Sequence, residues 1–218
     1  IMLHGIRAAM CAPLWAQKKI SGFIQVDSPF EAGKVELLSA MDIFQDLAEP
    51  EIEALHRIPL RATLGYGFAD RGIYASITDW SWKTLENFGD LVAKHHRSGG
   101  DRIHLALSPH APYSCGADMF RLVRDVADAQ KVAIHTHLAE GPQEVAYVAD
   151  TYGTTPVQWV HSLGFLGPDV TAAHCTQLTD DDIAIMAETG TRIGHCPCCN
   201  AKLNSGTMRL RDVRAAGI

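Results

Sequence analysis

The sequence predicts an α/β protein in which βα units surround a parallel sheet. Three observations predict it. From about residue 42 onward, short β-branched and apolar runs alternate with segments whose apolar residues recur at helical spacing. The chain, at 218 residues, suits one substantial core or part of a larger single domain, since α/β barrels commonly exceed 200 residues. Finally, the polar motifs collect where strand candidates end, which is where a parallel barrel or a doubly wound sheet assembles its site.

The elements follow in order. Residues 1–40 hold Gly, Pro and a lysine pair with weak periodicity, and no βα unit can be assigned there. Asp42 to Arg57 carries Ile43, Phe44, Leu47, Ile52 and Leu55 at helical spacing and leads through Pro59 to a strand over Leu60 to Phe68. Gly65 and Gly67 make half a dinucleotide fingerprint, but Asp70 stands at the third glycine position and no helix opens there, so they are read as a strand-end turn. Tyr74, Trp80 and Trp82 fall in a loop-like stretch that suits a heterocycle pocket or ordinary packing equally. Helix Thr84 to Arg97 precedes strand Arg102 to Pro109, and helix Ala117 to Gln130 precedes strand Val132 to Leu138. Helical segments near Pro142 to Thr151 and Pro156 to Leu163 lead to strand Val170 to Cys175. Thr179 is placed to cap helix Asp180 to Thr189, whose first-turn acids favour the helix dipole, and Gly190 ends it. Strand Thr191 to Cys196 and a helix from about Met208 to Ala216 close the reading. That makes five strands where a closed barrel has eight.

Composition sets bounds. A hydrophobic fraction of 47%, a charged fraction of 20% and a net charge of -6 give no electrostatic preference for nucleic acid or an anionic membrane. No apolar run approaches the roughly 18 residues a membrane span needs, and the first residues lack a leader pattern, so a cytoplasmic protein is expected. The six cysteines are scattered, and free thiols are the default. Cys196, Cys198 and Cys199 invite a structural zinc, but no second paired cluster exists to complete four ligands. On an extended segment, adjacent Cys198 and Cys199 would also face opposite ways.

The run Ala133-Ile134-His135-Thr136-His137-Leu138-Ala139-Glu140 carries the most chemistry. Positions two apart on a strand share a face, so His135 and His137 point the same way, which suits a metal. Glu140, three residues past His137, is placed to act as an unliganded acid/base beside an activated water. The alternative is a strand with two hydrogen-bonded histidines and a surface acid. His110, His174 and His195 stand at three further strand ends, and His174 would face His137 if their strands are neighbours.

Together these segments resemble the amidohydrolase superfamily, and within it the branch of chlorotriazine hydrolases and methylthioadenosine and S-adenosylhomocysteine deaminases. The resemblance runs from about Met41 to Ile218, through Gly65-Tyr66-Gly67-Phe68, Ser108-Pro109-His110-Ala111-Pro112-Tyr113, His135 to Glu140, Ala173-His174-Cys175 and His195 to Gly206. It implies a TIM-like (β/α) barrel at 41–218, with 1–40 unassigned. It implies that His137 is a metal ligand, Glu140 the proton shuttle, His174 the residue that positions the hydrolytic water and His110 a substrate contact. His135 is not a ligand in that family and is left out of the metal set.

The family's strand 1 His-x-His and strand 8 Asp have no counterpart here, because His4 has no partner two residues away and the chain stops at Ala215-Ala216-Gly217-Ile218. An incomplete barrel is therefore expected. The resemblance implies one divalent metal, zinc first and iron second, and hydrolytic deamination or dechlorination of an aminated heterocycle such as a purine, pterin or triazine. The rival expectation is a catalytically silent fragment that folds by association and retains ancestral motifs. A homo-oligomer is expected in either case, since an open parallel layer leaves strand edges unpaired.

Overall fold

The computed structural model describes residues 9–16, 19–27, 48–57, 60–72 and 82–218. His4, Tyr74 and Trp80 lie outside them, as does the first part of the predicted helix Asp42 to Arg57.

Seven strands form one sheet in sequence order. They are β1 (Ala9–Ala16), β2 (Lys19–Asp27), β3 (Ala62–Phe68), β4 (Ile103–Pro109), β5 (Ala133–Leu138), β6 (Val170–His174) and β7 (Arg192–Gly194). β1 and β2 pair antiparallel, as do β2 and β3, whereas β3 to β7 run parallel. The described sheet therefore has seven strands rather than five. The additional pair is a hairpin in residues 1–40, where a search for βα units had nothing to find because antiparallel neighbours need no crossover helix.

Eight helices of six residues or more accompany the sheet among the described residues. They are α1 (Ala48–Arg57), α2 (Trp82–His95), α3 (Ala117–Gln130), α4 (Pro142–Tyr152), α5 (Pro156–Ser162), α6 (Asp180–Thr189), α7 (Pro197–Leu203) and α8 (Leu210–Ala215). Most boundaries fall within one or two residues of those expected from sequence, the ordinary scatter at element ends. Three expectations need correction. Gly65 and Gly67 lie inside β3, not in a turn. The cysteine-rich segment after β7 is helical from Pro197, with proline at the first helical position, so the argument that it is extended fails. The strand expected over Thr191 to Cys196 shrinks to three residues.

The core lies between the sheet and its helices. α3 buries Met119, Phe120, Val123 and Ala127, a stripe at steps of one, three and four that a helix presents on one side. Phe120 meets Trp159 of α5 and Phe165 edge-on, at 5.4 and 4.7 Å between ring centroids. That geometry suits the opposite charge of ring faces and edges. The cap on α6 is a reciprocal box: Asp182 N–H donates to Thr179 Oγ1 at 3.1 Å and Thr179 N–H donates to Asp182 Oδ2 at 2.9 Å. Asp182 is fully buried, and the Thr155 hydroxyl donates to its second oxygen, so one carboxylate ties the caps of α5 and α6 together.

Candidate functional site

Parallel pairing brings three strand exits to one rim. Leu138 of β5 is level with His174 of β6, and His110 lies one residue past β4. His110 carbonyl accepts from both His137 N–H and His137 Nδ1–H, each at 2.9 Å. A carbonyl can only accept, so Nδ1 carries the proton and Nε2 the lone pair. This is the arrangement usual for a metal-bound histidine, whose other nitrogen is held by an outer acceptor.

The His137 ring stacks on His174 with centroids 5.2 Å apart and approaches His110 at 4.9 Å. His174 is buried, and its Nδ1 pairs with Asn200 Oδ1 at 2.7 Å. Its Nε2 lies 3.6 Å from Glu140 Oε1. The four residues expected from sequence are thus joined by successive contacts, from His110 to His137, His174 and Glu140. His135 lies on the same strand, its ring 6.2 Å from that of His137. His195 does not join them, being exposed.

Burial sets the protonation of this group. It lowers His110 to about 4 and His135 to about 4, with His174 adding to both shifts, and it holds His137 well below the usual imidazole range. At neutral pH these three rings are uncharged, the form that ligates metals. The donor chemistry of His137 fits a divalent metal. Among the described residues, however, no group of three or more His, Cys, Asp or Glu side chains could hold an ion, whereas a mononuclear site uses three or four protein ligands.

The backbone around the rim is strained. Ala139, His174 and Cys175 all have left-handed φ, at 50°, 72° and 49°, a conformation that costs a non-glycine residue of order 1 kcal/mol or more. Hydrogen bonds hold it. Thr176 N–H and Gln177 N–H both donate to Ala139 carbonyl at 2.9 and 3.1 Å, and the Thr176 hydroxyl donates to Glu140 carbonyl at 2.7 Å.

Three residues of the site were not singled out from sequence. Ser114 hydroxyl donates to Ala111 carbonyl at 3.2 Å and pairs with His110 Nδ1 at 2.7 Å. Asn200 escaped because its segment was read as extended rather than helical. Glu144, whose carboxylate accepts the Ala139 and Glu140 amides at 3.0 and 2.8 Å, did leave a signal: an acid three residues after a glycine N-cap. Five described cysteines, Cys115, Cys175, Cys196, Cys198 and Cys199, are free thiols. Burial raises Cys115 to about 11 and Cys175 well above the usual range, as expected of inert core thiols.

The sequence profile of the Amidohydrolase family matches residues 45–218. The chain belongs to the amidohydrolase family. This amidohydrolase is 40% identical over 152 residues to the 5-methylthioadenosine/S-adenosylhomocysteine deaminase of Desulfitobacterium hafniense, covering 70% of this chain and 35% of that protein. Among solved structures, it superposes on an adenosine deaminase of Xanthomonas campestris with bound zinc at a TM-score of 0.67 and 31% identity, covering 78% of this chain and 38% of that one. The triazine hydrolase of Arthrobacter aurescens shares the fold at a TM-score of 0.73 and 19% identity, covering 82% of this chain and 40% of that one. The amidohydrolase chain spans about a third to a half of the length of the curated relatives it matches.

Proposed function

We propose that this chain carries the strand 4 to strand 6 portion of the active site of a metal-dependent hydrolase. The reaction is hydrolytic deamination of an aminated nitrogen heterocycle: water attacks the ring carbon bearing the amine, and ammonia leaves. The observation that carries the reading is the placement of Glu140 Oε1 3.6 Å from His174 Nε2, beside a His137 held as an Nε2 lone-pair donor. His137 would hold the metal, zinc in preference to iron, and an ion bound there would lower the pKa of water toward about 7.

The protein residues do the rest. His174, fixed through Nδ1 by Asn200, orients the attacking water. Glu140 takes the water's proton and delivers it to the ring nitrogen and then to the departing amine. His110 contacts the substrate as a neutral imidazole. The relatives named as methylthioadenosine, S-adenosylhomocysteine and 5'-deoxyadenosine deaminases support an aminated purine nucleoside among the possible heterocycles. The family match beginning at residue 45 supports a barrel portion from about 41, with the N-terminal hairpin preceding it. No described helix is long and apolar enough to cross a membrane, and the cytoplasm is the compartment proposed. Among the described residues β1 and β7 are the outer strands of the sheet, and a homo-oligomer that pairs such edges is part of the proposal.

The second reading, a catalytically silent fragment, is favoured by one observation: the described residues supply fewer than three gathered metal donors. Ammonia release from methylthioadenosine, S-adenosylhomocysteine, adenosine and guanine, assayed with added zinc, separates the two. Release from at least one supports the deaminase, and release from none of them, with metal bound, supports the silent fragment.

A further inference from the structure

We propose that Glu144 is the positioning residue for Glu140, its carboxylate holding the backbone of the β5 exit turn in the conformation that directs the acid toward His174. This rests on the reading of Glu140 as the proton carrier.

Glu144 occupies the third position of α4, after Gly141 as N-cap and Pro142 at the first. An acid there normally stays at the surface, where it favours the helix dipole and caps a backbone amide. Here it is 4% exposed. The side chain turns back under the strand exit, and each oxygen takes a separate amide: Oε1 accepts from Ala139 at 3.0 Å and Oε2 from Glu140 at 2.8 Å. Two consecutive amides converge on one anion only when the backbone departs from strand geometry, as in the concave nests that bind anions. Ala139, with φ of 50°, supplies that departure.

The carbonyl side of the same turn is tied to the β6 exit through Thr176 and Gln177. Glu144 locks the opposite side. The turn is therefore gripped from both sides, which fixes the direction in which the Cα–Cβ bond of Glu140 leaves the backbone. A carboxylate buried this deeply is costly unless its hydrogen bonds are made. Burial raises the Glu144 carboxyl to about 7, with Glu140 adding to the shift, against the pull of the two amides. The ionisable groups facing it are Glu140 on the turn and the Cys175 thiol at the β6 exit. Capping α4 alone does not require a group placed there, since a surface hydroxyl or amide at the N-cap would serve.

Glu144→Gln tests the proposal in the full-length, metal-loaded protein. Glutamine has one acceptor oxygen, so its NH2 opposes one of the two amides. Hydrogen exchange at the Ala139 and Glu140 amides is expected to quicken roughly tenfold or more, the scale of one lost bond to a buried charged acceptor, with amides of β4 and α6 unchanged. In the same variant kcat is expected to fall roughly tenfold while KM stays within about twofold, because substrate binding does not pass through this turn. Wild-type exchange at both amides, or a raised KM with kcat unchanged, overturns it. If Glu144→Gln does not fold, Glu144→Asp keeps the charge but withdraws it by one methylene, and the same two readouts decide. A wild-type protein that releases ammonia from no heterocycle refutes the functional reading, while the exchange measurement alone then decides the role of Glu144.

Discussion

Replacing Asn200 by alanine isolates the contact that fixes His174. Asn200 is 2% exposed, its Oδ1 accepts from His174 Nδ1 at 2.7 Å, and its Nδ2 is buried with no hydrogen-bond partner. Two opposing effects follow from removing it. The His174 Nδ1–H loses its acceptor in a buried site, which costs about 1–3 kcal/mol, and the unsatisfied Nδ2 disappears, which returns a similar amount. Net stability should therefore change by less than about 2 kcal/mol, even though a buried hydrogen bond is lost. The tautomer should change far more. In the wild type Nδ1 carries a proton, because Asn200 Oδ1 can only accept; without Asn200 nothing holds a proton there. Nitrogen-15 shifts of the His174 ring report the tautomer, and urea denaturation reports the stability. A wild-type ring with no proton on Nδ1, or an Asn200→Ala ring still wholly protonated on Nδ1, would refute the reasoning.

Other consequences are equally direct. Asp182→Ala leaves the Thr179 amide and Thr155 hydroxyl without their shared acceptor, and should cost about 2–4 kcal/mol by urea denaturation. Phe120→Ala removes a ring buried between Trp159 and Phe165 and should cost about 3–5 kcal/mol. The metal-free protein should lose stability as pH falls from about 6.5 toward 4. There His110, His135 and His137 take up protons in the unfolded chain before the folded one, because their folded values are depressed. Glu144, raised to about 7, acts oppositely, favouring the folded state as pH falls through 7 toward about 4.5, but three histidines outweigh one carboxylate. Thermal midpoints that stay level or rise between pH 6.5 and 4 would contradict this.

The parts of this fold with a strong local period were legible in the sequence. α3 and α6 match their expected spans because Ala117 to Gln130 carries a clear apolar stripe and Thr179 and Gly190 mark the ends of the other. The antiparallel strands β1 and β2 were not legible, since the pairing of β2 with β3 breaks the βα alternation that served everywhere else. α7 was missed because Cys196-Pro197-Cys198-Cys199 offers cysteines and a proline but no apolar stripe.

At the site, the positions of His110, His137, Glu140 and His174 at strand ends were legible from residue type and strand pattern. The groups that hold them in place were not. Asn200 and Ser114 act through tertiary contacts 26 and 4 residues away in sequence, and nothing in their own surroundings marks them. Glu144 had a capping pattern, but that pattern does not reveal that the carboxylate turns inward beneath Glu140.

The central claim is that Glu140 carries the proton while His137 holds the metal, and paired measurement of metal content and ammonia release on Glu140→Gln and His137→Ala tests it most directly. Glu140→Gln should keep its metal and lose about 10²–10⁴-fold in rate, whereas His137→Ala should lose metal and rate together. A Glu140→Gln protein that keeps both its metal and the wild-type rate, or a His137→Ala protein that binds metal as tightly as the wild type, would contradict the account.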